Sequence, residues 1–400
     1  APGEPATPGE PAAPKTVTVG FLAALTGEVA GWGLPGLYGC EIWVDEVNEA
    51  GGLQIGDDKY LIEIAAYDDE YMSSKCVVGA KKLVLEDDVK IIVTLCAPPT
   101  RAIQPFTTEH KIITTTLMPS DITPDYPYLI APCEISPFHH VVAWDYIGRT
   151  YPEAKTVAIC NPEDESRYYH MAIGLAAFEG AGLEVVYDKF YDGATTDFAP
   201  IMTAMLATDP DILCFDAAYS YHTHLLTEQA MLQGFEGTLC SGSLDMYPEL
   251  IERVGKEYVE GYTFVFPDFD DPMLLPEQNA FFDKYNELYP GTWSAVSYEY
   301  ADILKVWARG AERAGSIDPM TVLEAMKADP NPVTTYGPAQ WAGEEVIGLN
   351  NALIGYWPVV QIQDGKARIV EMASALDVYN RDYEATIKYF EEFGLMWYQQ

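Results

Sequence analysis

The stretch from Thr16 to Gly52, TVTVGFLAALTGEVAGWGLPGLYGCEIWVDEVNEAGG, restricts the fold more than any other part of the chain. Val17, Val19, Phe21 and Leu22 form a short β-rich run. A Gly/Thr loop follows, and Leu37, Cys40, Ile42, Val44 and Val47 then recur at mixed helical spacing until Gly51-Gly52 stops the helix. This is a strand, a loop of ligand size and a helix. In open α/β sheets ligands sit in the crevice beyond the carboxyl ends of the strands, so the loop from Thr26 to Gly36 is expected to face the bound molecule. It carries Trp32 and no nucleophile, general base or phosphate signature.

The same unit recurs. Tyr60 to Tyr67 reads as a strand, Ser73 to Leu85 as a helix with Ser73 at its N-cap, and Lys90 to Leu95 as the near-continuous apolar strand of a sheet covered on both faces. In CAPPTRA, Pro98-Pro99 shapes a loop and Thr100 is placed to cap the next helix. Lys111 to Thr116 follows, its polar end opening into the crevice. Four βα units imply one doubly wound lobe. From Pro137 the cycle restarts through FHHVVAWDYIGRTYP, TVAICNP and HMAIGLAAFEGAG, which predicts a second lobe. Neither half has a G-x-G-x-x-G or G-x-x-x-x-G-K-[ST] loop, so no nucleotide or other cofactor is expected.

Composition narrows the function. Four hundred residues, 48% of them apolar, suit two cores of ordinary size. A net charge of -38, from 61 acids against 23 bases, argues against nucleic acid and anionic lipid, since both need clustered Lys and Arg. No run of apolar residues is long enough to span a membrane. The opening, APGEPATPGEPAAPK, repeats PGEPA and reads as an extended, disordered tether over residues 1–15.

The order G-x-x-x-x-x-T/S-G-x-x-A-x-W/Y-G, helix, N-E-A-G-G resembles the opening of the leucine/isoleucine/valine-binding protein family, the periplasmic solute receptors of branched-chain amino acid ABC transporters. Similar landmarks recur in register: Tyr67-Asp68-Asp69, Leu95-Cys96, Tyr300-Ala301-Asp302, and Val359 to Gly365, which also reads as a hairpin turned at Asp364-Gly365. The resemblance spans roughly 16 to 370 and rests on order and spacing. It implies two doubly wound parallel-sheet lobes on a multi-strand hinge, the type I periplasmic-binding fold. Lobe 1 would be 16–137 with 266–350, lobe 2 would be 138–265 with 351–375, and 376–400 would be a helical extension. The tether then looks like the spacer behind a lipidated cysteine upstream of Ala1, in a periplasmic or extracytoplasmic monomer; an ordinary flexible tail is the other reading. Cys96 stands where the family's disulfide has one half, Tyr71 occupies the place of the other, and Cys76 is positioned to substitute.

The resemblance also implies a site. In the family a small hydroxyl after Leu-Cys and another after the fourth strand hold an amino acid's carboxylate, and an acid on the second lobe holds its ammonium. The matched positions here are Ala97, Met118 and Ser243, so the α-amino-acid clamp is missing. A buried carboxylate still needs donors, and Thr100, Arg101, Thr115 and Thr116 are nearest, Arg101 being capable of a bidentate grip. The aromatics persist: Trp32 and Tyr219 match family residues, and Tyr168 or Tyr169 stands where a third is expected. Losing the acid while keeping the rings points to an apolar or aromatic carboxylate, an amide or a modified amino acid, delivered to an ABC permease. His139, His140, His170, His222 and His224 fall in the expected second lobe, but His222 and His224, two apart on a helix, diverge by roughly 200° and argue against a metal. No G-x-S-x-G elbow is present, so catalysis is not expected. A sensory domain of the same fold and a cleft hydrolase are the rival readings.

Overall fold

The computed structural model of the protein describes residues 13–399 except 28, 134 and 268–270, so most of the expected tether lies outside it. Six strands make the first sheet: β1 (Lys15–Ala23), β2 (Leu53–Ile55), β3 (Asp58–Asp68), β4 (Ile91–Thr94), β5 (Ile113–Thr115) and β6 (Leu129–Ile130). Their spatial order is β2-β3-β1-β4-β5-β6, parallel throughout except where β2 folds back on β3. All of β4 and most of β1 are buried, as strands covered by helices on both faces must be. The helix Ala30–Glu49 lies against the helix Val296–Ala314 with bare backbone at the contact. A Cβ on Gly39 would fall 1.8 Å from the Ser297 carbonyl oxygen.

The second sheet holds β7 (Thr156–Pro162), β8 (Glu184–Tyr191), β9 (Ile212–Cys214), β10 (Thr238–Cys240), β11 (Thr263–Phe264), β12 (Val333–Thr334), β13 (Gly337–Ala342), β14 (Ala352–Gln363) and β15 (Lys366–Ser374). Strands β8-β7-β9-β10-β11 run parallel. Antiparallel β14 closes the edge and also pairs β13 and β15. The β14–β15 hairpin turns at Asp364-Gly365, both at positive φ. Two mixed α/β lobes, mostly parallel within each sheet, are therefore the architecture. Backbone passages between them lie side by side: Ala131 donates to the Asn351 carbonyl at 2.9 Å and Leu353 to the Ala131 carbonyl at 2.8 Å.

Local readings shift where proline and cap chemistry decide them. Strand β1 starts at Lys15, the last residue assigned to the tether. Ser73 is the first helical residue, and Met72 holds the cap position without a side-chain bond. Pro98 and Pro99 lie inside the first turn of the helix Ala97–Glu109, because proline's fixed φ suits that turn. Thr100 therefore caps nothing and points inward.

The chain ends in two short helices, Ala375–Arg381 and Tyr383–Glu392, packed on the helix Glu165–Gly180. Phe390 is fully buried against Tyr169, with ring centroids 5.8 Å apart, a burial of about 1.5–3 kcal/mol. Arg381 pairs with Asp145 and Asp382, and Lys388 with Glu179 at 2.9 Å.

Candidate functional site: a two-walled cleft

The first wall is built where β4 and β5 end. Ala97 takes a left-handed backbone, φ +63°, unusual for a residue with a Cβ. Its N–H is held by Asp121 Oδ2 at 2.7 Å, which also accepts from Thr116 Oγ1 at 2.7 Å. Burial pushes the Asp121 carboxyl up, and the Thr116 hydroxyl, the Ala97 N–H and Arg101 oppose that rise. Thr94 Oγ1 donates to the Thr115 carbonyl at 2.6 Å, so the 2.7 Å contact between Thr94 and Thr100 has the Thr100 hydroxyl as donor. Ala97 and Met118 are buried among these groups, and Thr115 Oγ1 is buried without a hydrogen bond.

The second wall rises from the start of the helix Glu165–Gly180. Asp164 caps it, its Oδ1 accepting from Ser166 N–H at 2.9 Å and Arg167 N–H at 3.1 Å. This fixes where Glu165 and Arg167 point. Glu165 grips Arg101 of the first wall in a bidentate pair at 2.7 and 2.8 Å, and Arg101 Nε lies 3.6 Å from Asp121 Oδ1. The Arg101 hydrogen bond holds the Glu165 carboxyl below its ordinary range and raises Arg101 in turn. With 64% of the Glu165 side chain exposed, this clasp stabilises closure only modestly.

Arg167 differs. Its side chain is 14% exposed, its guanidinium sits 5.5 Å above the Tyr219 ring, and Nη1 donates to Ser166 Oγ at 2.8 Å. Its Nε is shut from solvent and makes no hydrogen bond; the Asp164 carboxylate is 3.6 Å away. The Arg167 charge is felt by Tyr71 and Cys96 of the first wall as well as by Tyr191 and Tyr219, so this cation occupies the ground between the walls. Tyr219 donates to Asp164 Oδ2 at 3.3 Å, and Tyr191 lies 3.2 Å from His222 Nδ1, completing a ring-lined floor. Burial lowers His222, which favours its neutral form.

The residues singled out from sequence are thus dispersed. Ala97, Thr100, Thr115, Thr116 and Met118 form one wall with Arg101 at its rim. Tyr219 belongs to the other wall. Trp32 is partly buried at the start of the helix Ala30–Glu49, and the Ser243 carbonyl accepts from Ser241 at 2.6 Å. Tyr168 and Tyr169 stack instead toward Phe190, Phe393 and Phe390, under the C-terminal helix. The Cys76 to Cys96 bond is not formed. Cys76 faces Asp69, while the Cys96 sulfur lies 3.9 Å from the Tyr71 hydroxyl, whose ring occupies the space a bridge would need. Sequence reasoning missed Arg167, Tyr191 and Tyr71; the signal for Arg167 was Asp164, a ready N-cap three residues ahead.

A family model described as periplasmic binding protein matches residues 16–367. The chain belongs to that family. The protein is similar to the leucine-, isoleucine-, valine-, threonine- and alanine-binding protein of Pseudomonas aeruginosa, 24% identical over 329 residues, 78% of this chain and 83% of the relative. Among solved structures, a leucine-binding protein LivK from Thermotoga maritima superposes with a TM-score of 0.70 at 22% identity, covering 90% of this chain and 99% of the other. A solute-binding protein of an ABC transporter from Rhodopseudomonas palustris, in complex with p-hydroxybenzoic acid, gives 0.74 at 19% identity, with 90% and 98% covered. Membership of that family makes the protein a binding protein. Among the described residues no helix is long and apolar enough to cross a membrane.

Proposed function

We propose that this binding protein captures a small carboxylate with an aromatic or branched apolar body between its two walls, and delivers it to an ABC permease. The observation that carries the reading is Arg167: a nearly buried cation with an unmet donor, set over one ring and among others. A carboxylate placed there replaces water lost to both partners with a charge-assisted hydrogen bond, and a flat or branched body lies against Tyr219, Tyr191 and Trp32. On the second wall Asp164 is engaged by its helix cap and Tyr219, and Glu165 by Arg101, so neither is free for an ammonium. Asp245 is engaged by Ser220 at 2.9 Å and burial pushes its carboxyl up, which weakens it as a partner for a cation. The benzoate-type ligand of the Rhodopseudomonas protein and the amino acids named for the Pseudomonas relative mark two ends of this range, and Ala97 and Met118 at the clamp positions support a reading nearer the former.

Binding to both walls favours the closed arrangement, so solute shifts the open–closed equilibrium by its differential affinity. The clasp between Arg101 and Glu165 adds to closure without touching the solute. We place the protein outside the cytoplasm, a reading that its periplasmic binding protein family supports. The decisive test is a thermal-shift and calorimetric screen over hydroxybenzoates, branched aliphatic acids, the matching amides and leucine. A ligand at a hundred times its Kd adds about 2.7 kcal/mol of stability. Acids are expected to stabilise the protein and amides to do so weakly. Leucine binding tighter than every simple acid would overturn the reading.

A further inference from the structure

Behind the second wall, at the carboxyl ends of β9 and β10, lies a polar cluster that solute capture does not use. His140 Nδ1 is 2.7 Å from Asp216 Oδ1, His170 Nδ1 is 3.5 Å from Asp216 Oδ2, and the donor atoms of the three side chains all lie within 4.8 Å of one another. All three residues are buried. His170 Nδ1 and Asp216 Oδ2 face each other at that 3.5 Å separation, both closed to water and with no shorter contact. The far nitrogen of the same ring, His170 Nε2, meets Ser136 Oγ at 3.1 Å.

Those contacts allow two tautomers of His170: Nδ1–H paired with Asp216 while Nε2 accepts from Ser136, or Nε2–H donating to Ser136. If Nε2 carries the proton and donates to Ser136, then Nδ1 presents a lone pair to a carboxylate oxygen that also presents one. Two facing acceptors in a buried site are unfavourable without a cation between them. We propose that His140, His170 and Asp216 bind one divalent transition-metal ion of the zinc type, with Ser136 as the outer partner that fixes His170. Imidazole and carboxylate donors suit such an ion, with metal–donor distances of about 2.0–2.2 Å and hence donor separations of roughly 3.3–3.5 Å in a tetrahedron. The His170 contact already has that spacing, and the His140 contact must open by less than about 1 Å.

The cradle is shaped for the ring that completes it. A Cβ on Gly242 would lie 2.1 Å from His140 Cε1, so only glycine leaves room for that imidazole. Asp216 is pinned through its own carbonyl, which accepts from Gly242 N–H at 2.8 Å. Ser136 lies where the chain passes between the sheets, its N–H bonded to the Leu117 carbonyl at 3.2 Å. An ion here would stiffen the base of the cleft without contacting solute, and the inference stands whichever solute is bound.

The test uses the full chain, stripped with a chelator and titrated with zinc alone in excess magnesium, which occupies the acidic surface. Elemental analysis is expected to find about one ion per chain, with a rise in melting temperature. His170→Gln, which keeps all seven cysteines, is expected to lose the tight site by about 100-fold, and Ser136→Ala to weaken it by about 10-fold. Should His170→Gln fail to fold, Ser136→Ala carries the test, because Ser136 is partly exposed. No stoichiometric uptake, or unchanged zinc affinity in either variant, overturns the site. Ester hydrolysis that requires Ser136 and no metal also overturns it, by showing that the serine donates to His170 instead.

Discussion

The two walls of the cleft use their ionic groups in opposite ways. In the first, Asp121 is fully engaged: it fixes the left-handed Ala97, accepts from Thr116 and faces Arg101, which is itself held by Glu165. In the second, Arg167 keeps a buried donor unmatched. A saturated network supports shape and an unsaturated one invites a guest. The first wall should therefore govern stability and the second affinity.

Substituting the two arginines gives the sharpest break. Arg167→Ala is expected to weaken the best carboxylate by about 100-fold, since truncating one partner of a desolvated charge pair costs about 2–5 kcal/mol. Arg101→Ala should cost no more than about 10-fold. Calorimetric Kd values in the reverse order would abolish the contrast. Asp121→Ala is expected to lower unfolding stability by about 2–3 kcal/mol, because the Ala97 N–H and the Thr116 hydroxyl lose their acceptor. The Kd of the folded fraction should stay within about threefold of the parent, while Arg167→Ala leaves the denaturant midpoint nearly unchanged.

Ring removal should matter less than charge removal. Tyr219→Ala and Trp32→Ala are each expected to reduce affinity by about 10-fold, acid and amide alike, through lost stacking and cation–π contact. An unaltered Kd for Trp32→Ala would take that residue out of the site. The smallest effect belongs to the clasp. Glu165 has a lowered pKa, so its contribution to closure is complete above its ordinary value of 4.5 and fades as pH falls through the lower closed-state value. Glu165→Gln should weaken solute by less than about fivefold at neutral pH and flatten the acid limb of a Kd–pH profile. A profile identical to the parent's would remove the clasp from closure.

Much of this architecture was legible because periodicity and strand-end landmarks are local. The burial of β4, the hairpin at Asp364-Gly365 and the restart of the βα cycle after Pro137 all follow from residues close in sequence. The cleft was less legible, because its meaning depends on register. Tyr168 and Tyr169 follow Arg167 directly, but each step along a helix turns a side chain by about 100°. Once Asp164 caps the helix, Arg167 faces Tyr219 and the two tyrosines face the C-terminal helix. Likewise His222 and His224 drew notice for their spacing, whereas His140, His170 and Asp216 converge from three distant segments that only the folded sheet brings together.

The final two helices have a consequence that reaches beyond packing. Phe390 and Phe393, with Lys388, brace the back of the very helix whose other side presents Arg167 and His170. The tail is thus a buttress for recognition although it meets no solute. Trimming it, or fusing a reporter there, would alter the response of the receptor from its far side.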